Sequence, residues 1–274
     1  MKVLPKPPSG SEMRQVVVES QLWKAIFRHG YPDDPPNRAL VIMSNVFLHL
    51  HPVKVKKHAA KFTWTYGLGG ITFYLFLLLT VTGVYLMFFY TPSADLAYPS
   101  IKAINAEVTF GLLTRNMHRW GAHLMVITVC LHMIRVFYQG GYKPPREFNW
   151  MIGVALLLAT LLLSFTGYLL PWDQLAFWAI TVGTNMAGYA PLVGYQAHTL
   201  LLGGTSVGPN ALLRFYVLHV IFLPLLLGVG LAIHFWRVRK DGGISGPIPD
   251  ILESIELERA EYWRKEPLDT TIAG

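Results

Sequence analysis

Residues 115–135 read RNMHRWGAHLMVITVCLHMIR, a largely apolar stretch that carries His118 and His132. An α-helix rises about 1.5 Å per residue, so fourteen residues place the two histidines about 21 Å apart along the axis. At about 100° per residue, fourteen steps return to within about 40° of the same side. The stretch predicts a membrane helix that presents two imidazoles on one side, one near each end.

A second stretch, residues 213–236, reads LRFYVLHVIFLPLLLGVGLAIHFW and carries His219 and His234 fifteen residues apart. In a straight α-helix, fifteen steps end within about 60° of the starting face. We expect the two helices to run antiparallel, with His118 level with His219 and His132 level with His234. Two facing imidazoles at each of two depths form the ligand set of two six-coordinate, bis-histidine haems.

Two simpler roles for these histidines account for them less well. A single histidine in a membrane segment is most simply a polar residue satisfied by a neighbouring helix. Four histidines at matched depths favour a function, because polar residues at membrane depth are costly. Zinc fits poorly, since it needs ligands clustered at one point and these are divided between two depths. Two non-covalent b-type haems remain the best interpretation.

The composition agrees with a membrane protein: 53% of the residues are hydrophobic, 14% are charged, and the mean hydropathy is +0.38. Four segments approach the ~20 apolar residues that a bilayer requires. We name them segments A to D: residues 65–90, 117–138, 150–170 and 213–236. The connection between C and D, residues 173–210, is long, apolar and glycine-containing, which favours helices lying in the membrane interface. The predicted fold is an all-α membrane protein, a four-helix bundle around two stacked haems.

The basic residues flank the apolar segments rather than forming a patch, so the net charge of +7 does not indicate nucleic-acid binding. They precede A, lie between B and C, and follow D, which predicts that these regions and both termini are cytoplasmic. The expected location is the cell inner membrane or an equivalent energy-transducing membrane. Residues 61–247 form the predicted haem domain. Residues 1–60 are an extension with an amphipathic helix around Met13–Phe27, and residues 248–274 are a polar tail.

Glycines in segments A and C repeat the histidine interval. Gly69 and Gly83 are fourteen residues apart, as are Gly153 and Gly167. A flat macrocycle between B and D needs close approach from neighbouring helices, which glycine permits. Small-residue packing between membrane helices is the alternative. The shared interval favours the haem interpretation.

Arginines near the histidines are candidates to pair with haem propionates. Arg115 precedes His118 by three residues and Arg135 follows His132 by three, each toward its membrane surface. Arginine forms strong charge-assisted bonds with carboxylates. Arg119 is a further candidate, although an interfacial arginine can also serve only as an anchor.

These residues, together with GGYKPPREFNWMIG, GYLLPWDQLAFW and HFWRVRKDGGISGP, resemble the cytochrome b family, in particular its short form, cytochrome b6. The likeness covers about residues 61–247. It implies that His118 and His219 hold a low-potential haem and that His132 and His234 hold a high-potential one. It implies a quinol-oxidation site near Pro171, Trp172 and Asp173, although Asp173 can equally cap a helix. It also implies a role for Arg239 at an inner quinone site, although Arg239 can equally be an ordinary cytoplasmic charge.

The resemblance further implies a subunit of a quinol:cytochrome c oxidoreductase that couples electron transfer across the membrane to proton translocation. The implied partners are a Rieske iron–sulfur protein, a c-type cytochrome and a second copy of the complex. The family's P-E-W-Y motif is absent from this sequence, so we expect a small partner subunit to supply it and this chain to be inactive alone. Gly67 stands where many short-form relatives carry a cysteine, so no covalent third haem is expected.

Two rival functions remain open. The first is a two-haem membrane anchor that passes electrons between quinone and a dehydrogenase or hydrogenase without a Rieske partner. The second is a haem-free transporter, which would explain the hydropathy but not the histidine intervals. Bound haem would exclude the transporter. A Rieske partner would distinguish the oxidoreductase subunit from the membrane anchor.

Overall fold

The computed structural model describes residues 9–21, 23, 36, 59, 61–241, 243 and 244. Over these residues the regular secondary structure is helical throughout, and four helices are long and apolar enough to cross a membrane. The described helices are α1 (Gly10–Glu19), α2 (Phe62–Thr65), α3 (Leu68–Met87), α4 (Ala97–Ala106), α5 (Gly111–Tyr138), α6 (Glu147–Leu169), α7 (Gln174–Gly188), α8 (Gly194–Leu202) and α9 (Pro209–Lys240). The predicted all-α, four-helix membrane fold is confirmed, with α3, α5, α6 and α9 as segments A to D.

The ends of the membrane helices differ from the predicted ends for local reasons. Helix α3 begins later than predicted, because Tyr66 and Gly67 both have positive φ angles (50° and 64°) that break the helical path. Helices α5 and α6 begin earlier. Helix α9 also begins earlier, at Pro209, since proline suits the first helical turn. Its last turn contains Arg237, Arg239 and Lys240, which favourably oppose the helix dipole.

The connection between C and D contains α7 and α8, as the sequence predicted. Both helices fold back over the end of α6 and the start of α9. A buried cluster forms there, consisting of Leu169, Ile180, Leu202, Ala211 and Phe215. This apolar cluster fixes the end of the bundle that lies nearest to His118 and His219. Helix α4, between α3 and α5, was not predicted; it buries Ala97 and Ile104, seven residues apart on one face.

The middle of the bundle is apolar and draws on all four membrane helices. Leu75, Met125, Ala159 and Leu227 form a buried cluster, one residue from each helix. Met125 lies seven residues from each histidine of α5, so this layer separates the two histidine levels. Helix α3 packs mainly on α5, and α6 packs on α9.

The expectation that segments B and D run antiparallel is wrong. His118 lies beside His219 and His132 lies beside His234, which requires α5 and α9 to run in the same direction. The physical reason is the order of the chain. Only one membrane helix, α6, lies between α5 and α9, and the chain reverses its direction at each end of α6.

Helix α9 contains one π-helical turn, Leu218–Phe222, in which the Leu223 N–H donates to the Leu218 carbonyl. A π-turn holds about one residue more than an α-turn, so it takes up the extra residue in the fifteen-residue histidine interval. Pro224 follows the turn after one intervening residue, Leu223; it has no N–H to donate, and its ring conflicts with the carbonyl four residues earlier. The wider turn relieves that conflict. His219 and His234 therefore share a face as closely as the fourteen-residue pair of α5.

The N-terminal helix differs from the prediction. Helix α1 starts at Gly10 rather than near Met13, because Ser9 and Glu12 form a capping box. It ends at Glu19, because Ser20 adopts an extended conformation and its hydroxyl donates to the Val17 carbonyl at 2.7 Å. The remainder of the predicted helix, up to Phe27, lies largely outside the described residues, as do most of residues 1–60 and the polar tail 248–274.

Candidate functional site

Two pairs of imidazoles face each other across the bundle. The first pair, His118 and His219, has ring centroids 6.3 Å apart and ring planes at 76°. The second pair, His132 and His234, has centroids 6.4 Å apart and planes at 80°. A metal ion about 2 Å from each ligating nitrogen, with about 1 Å more to each ring centre, separates two ring centres by about 6 Å. Each pair therefore has the spacing that one bis-imidazole metal centre requires.

Two threonines contact the first pair. The Thr82 hydroxyl lies 2.9 Å from His118 Nδ1, and the Thr166 hydroxyl lies 3.1 Å from His219 Nδ1. Each hydroxyl also donates its single proton to a carbonyl of its own helix: Thr82 to Leu78 at 2.7 Å and Thr166 to Leu162 at 2.9 Å. Each threonine oxygen must therefore accept from the histidine.

This arrangement fixes the state of both imidazoles. The Leu163 carbonyl, 3.1 Å from His219 Nδ1, can likewise only accept. With Nδ1 protonated, a neutral imidazole has its lone pair on Nε2. His118 and His219 thus present Nε2 as the ligating atom, and the first pair has the chemistry of two neutral nitrogen ligands.

The second pair lacks such partners. Neither His132 Nδ1 nor His234 Nδ1 has a hydrogen-bond partner among the described residues. A cavity of about 100 Å³ adjoins these two rings. Its polar lining includes Arg135, Arg146 and Asn149.

Each predicted glycine lies against a histidine ring. A Cβ atom added to Gly167 would lie 2.5 Å from His219 Cε1, and one added to Gly83 would lie 3.1 Å from His118 Cε1. A Cβ on Gly69 would lie 3.1 Å from His132 Cε1. Gly153 is less crowded, with Met133 Sδ at 3.6 Å and His234 Cε1 at 3.9 Å. The glycines of α3 and α6 therefore admit the imidazole rings themselves, a role that the sequence prediction assigned to the macrocycle.

The predicted arginines occupy different environments. Arg115 is partly buried and donates to Asn105 Oδ1 at 3.3 Å. Arg119 is exposed. Arg135 donates from Nη1 to Gln139 Oε1 at 2.7 Å, while its buried Nε has no partner among the described residues. An orphaned, buried guanidinium nitrogen beside the second pair is suited to a carboxylate or another anionic group.

Arg239 does not line the cavity beside the second pair. The charged residues that line this cavity are Arg135, Arg146 and Asp241. Asp241 is 5% exposed and pairs with Arg237 Nη2 at 3.0 Å, while the Arg146 Nε donates to the Asp241 backbone carbonyl. Sequence reasoning counted Arg146 only as a flanking charge and missed Asp241. The sequence KDGG, which begins at the last residue of α9, was the available signal.

Residues 171–173 connect α6 to α7 near the first pair. Asp173 is the N-cap of α7, and its Oδ1 accepts from the Ala176 N–H at 2.9 Å. Trp172 has a positive φ of 54° and packs on the buried cluster around Leu169. The capping alternative for Asp173 thus has direct structural support, while its role in proton transfer stays a prediction, as do roles for Pro171 and Trp172 at a quinol site.

Tyr90 lies at the same end of the bundle, beyond the last residue of α3. Its hydroxyl donates to the Leu170 carbonyl at 2.6 Å, and its ring stacks on Tyr216 at 5.7 Å. Burial, and secondarily the nearby Tyr216, raise the pKa of Tyr90 above its usual range. Tyr90 therefore stays protonated as a fixed donor that holds the end of α6.

Metal centres of another kind have no support in the described part of the chain, which contains no group of three or more His, Cys, Asp or Glu side chains able to hold an ion. The family model described as Cytochrome b/b6/petB matches residues 53–242, well over half of the chain. The chain belongs to the cytochrome b family. Binding of b-type haem follows from that membership, and the imidazole spacing and the glycine contacts of this cytochrome b fit such a group.

Relatives of this cytochrome b are found among short-form proteins. It is 46% identical over 183 residues to cytochrome b6 of Heliobacterium mobile, covering 67% of this chain and 85% of that protein. It is 40% identical over 228 residues to the menaquinol:cytochrome c reductase cytochrome b subunit of Bacillus subtilis (strain 168), covering 83% of this chain and 92% of that protein.

A solved structure named "Hyperthermophilic respiratory Complex III" contains a chain of the same fold. It superposes with a TM-score of 0.64 at 33% identity, covering 71% of this cytochrome b and 51% of that chain. The present chain therefore matches about half of the solved one.

Sequence reasoning missed Thr82 and Thr166. Each directly precedes a glycine that lies against a first-pair histidine, so the dipeptide Thr–Gly occurs at the matching position of α3 and of α6. The glycines that face the second pair, Gly69 and Gly153, follow Leu68 and Ile152 instead. This difference was the available signal.

Proposed function

We propose that this cytochrome b is the dihaem subunit of a quinol:cytochrome c oxidoreductase, in which His118 and His219 hold one haem and His132 and His234 hold the other. The observation that carries the proposal is the matched separation of the two imidazole pairs, 6.3 and 6.4 Å, at two levels of one bundle. When bound, the haems supply reversible one-electron transfer at these two depths.

The protein residues around the pairs have separable tasks. Thr82 and Thr166 would accept from Nδ1 of the first pair and so leave the Nε2 lone pair of each ring for a haem iron. The apolar layer that contains Met125 and Leu227 keeps water out of the space between the two levels. Arg115 and Arg135, each three residues from a ligand, would pair with haem propionates, and Arg119 is a weaker candidate for the same role.

Quinone chemistry is assigned to both ends of the bundle. The cavity beside the second pair supports quinone reduction at the cytoplasmic end, because its lining includes Arg135, Arg146 and Asn149. Arg239, in the last turn of α9, would add a further positive charge at that end. Residues 171–173 and the helix that they introduce are proposed to border the quinol-oxidation site at the opposite end. Proton release at one surface and uptake at the other would couple electron transfer to proton translocation.

The complex would contain a Rieske iron–sulfur protein, a c-type cytochrome and a small subunit with the remaining helices and the P-E-W-Y element, in a homodimeric assembly. The names of the Bacillus subtilis relative and of the solved Complex III support the assignment to a quinol:cytochrome c reductase complex. We place the protein in the cell inner membrane or an equivalent energy-transducing membrane, with both termini cytoplasmic, and we expect no activity from the chain alone.

Histidine variants test the ligand assignment. His118→Ala and His219→Ala should each lose one haem of two, and the same spectral component should disappear in both. His132→Ala and His234→Ala should lose the other component. His123→Ala is the matched control, because His123 is exposed on α5 five residues from His118 and should leave both haems bound. Loss of different components within one pair would refute the pairing.

Purification through a tag on this chain tests the wider function. We expect a Rieske-type EPR signal in the preparation and quinol-dependent reduction of cytochrome c. A preparation that holds two haems but contains a dehydrogenase or hydrogenase and no Rieske centre would instead establish the membrane-anchor function.

A further inference from the structure

The two imidazole pairs differ in what their Nδ1 atoms contact. His118 and His219 each meet a threonine hydroxyl at 2.9 and 3.1 Å, whereas His132 Nδ1 and His234 Nδ1 have no hydrogen-bond partner among the described residues. The Leu163 carbonyl also lies 3.1 Å from His219 Nδ1. A threonine hydroxyl contacts both rings of the first pair and neither ring of the second pair, so the hydroxyl is what distinguishes the pairs.

The threonines at this position have a fixed orientation. Thr82 donates to the Leu78 carbonyl and Thr166 to the Leu162 carbonyl, so each oxygen directs a lone pair toward the imidazole. Thr72 provides a contrast near the second pair. It also donates within its helix, to the Leu68 carbonyl, but its hydroxyl pairs with Thr128 at 3.0 Å rather than with a histidine.

We infer that Thr82 and Thr166 are positioning residues that set the reduction potential of the first-pair haem below that of the second-pair haem. The inference rests on the proposed function, since it requires a haem at each pair.

The physical basis is the electron donation of the ligand. An Nδ1–H that donates to an acceptor makes the imidazole a more basic ligand, and outer hydrogen bonds of this kind tune metal centres. A more basic ligand stabilises the ferric form over the ferrous form, which lowers the potential. The apolar surroundings strengthen the effect, because a hydrogen bond is electrostatically stronger at low dielectric than in water.

Isosteric variants test the inference. In a redox titration of the haem-loaded complex, Thr82→Val and Thr166→Val should each shift the lower-potential component upward. The double variant should shift it further, and the higher-potential component should stay where it was. Thr82→Ser and Thr166→Ser should return the potential toward the parent value, because serine keeps the hydroxyl.

Matched controls are available in the same helices. Thr80 in α3 donates to the Phe76 carbonyl, and Thr160 in α6 donates to the Leu156 carbonyl. Neither hydroxyl contacts a histidine of the described residues. Thr80→Val and Thr160→Val remove the same group from the same helices and should leave both potentials unchanged. A shift as large in these controls would show that helix distortion, not the imidazole contact, moves the potential.

The haem content of the parent complex is measured first and separates the two claims. Two haems in the parent, with unmoved potentials in Thr82→Val and Thr166→Val, would overturn this inference alone. A downward shift, or an equal shift of both components, would overturn it as well. A parent without haem would overturn the proposed function together with it.

Discussion

At the scale of single residues, the histidines and glycines could be predicted from intervals, whereas their immediate neighbours could not. Fourteen-residue spacing identifies a common face without knowledge of the partner helix. The contacts of Thr82 and Thr166 depend on how α3 packs against α5 and how α6 packs against α9, which no interval within one helix specifies. Asp173 shows the same limit, because its capping contact depends on a turn that begins with the positive φ of Trp172.

The glycines should differ in their tolerance of a methyl group. Gly167→Ala should lose most of the first-pair haem, because the added Cβ would lie 2.5 Å from His219 Cε1. Gly153→Ala should keep both haems, because its nearest neighbour is 3.6 Å away. Overpacking of this kind costs about 1–3 kcal/mol. Haem content and thermal unfolding of the two variants provide the measurement, and equal losses would contradict the account.

Asp173 allows its capping role to be isolated. Asparagine caps helices as well as aspartate does, whereas alanine at an N-cap costs about 1 kcal/mol. Asp173→Asn should therefore unfold like the parent, and Asp173→Ala should be less stable by about that amount. Equal destabilisation of both variants would show that the negative charge, rather than the hydrogen bond to the Ala176 N–H, matters.

At the scale of elements, apolar length predicted the four membrane helices, and the long C–D connection predicted α7 and α8. Helix α4 was missed because only Ala97 and Ile104 of its ten residues are buried, a pattern too sparse to detect. The π-turn of α9 was missed because regular α-helical geometry was assumed, although Pro224 inside segment D is the residue that explains it. The assumed geometry left an offset of about 60°, which the π-turn reduces to about the 40° of the fourteen-residue pair.

Residue deletions test the register of α9. Deletion of Ile221 together with Pro224→Ala should convert the π-turn to an α-turn and leave a fourteen-residue interval, so both haems should be retained. Deletion of Ile127 in α5 should lose a haem, because that helix has no extra residue to give up. The sites are comparable, since Ile221 is 50% exposed and Ile127 is 54% exposed. Haem loss after both deletions would contradict the proposed register.

At the scale of the whole molecule, charge and hydropathy predicted a multi-pass membrane protein, and the family match agrees with it. The direction of insertion follows from the basic flanks alone and stays a prediction. The arrangement of the bundle was predicted less well, because the antiparallel relation assumed for segments B and D ignored the reversal that α6 imposes.

Cysteine labelling tests the direction of insertion. Cys130 is the only cysteine, so a Cys130→Ala background carries no other thiol. In that background, Asp95→Cys in the α3–α4 connection should react with a membrane-impermeant maleimide on intact cells. Lys143→Cys in the α5–α6 connection should react only after permeabilisation. Both native side chains are exposed, and the reverse labelling pattern would invert the proposed topology.

The central claim is that two imidazole pairs hold two b-type haems, and haem quantification on the purified chain tests it most directly. A reduced-minus-oxidised spectrum with pyridine haemochrome analysis should give two extractable b-type haems per polypeptide and no haem that resists extraction. Well-folded protein with no haem would contradict the claim. So would a single haem that stays bound when either histidine pair is replaced by alanine.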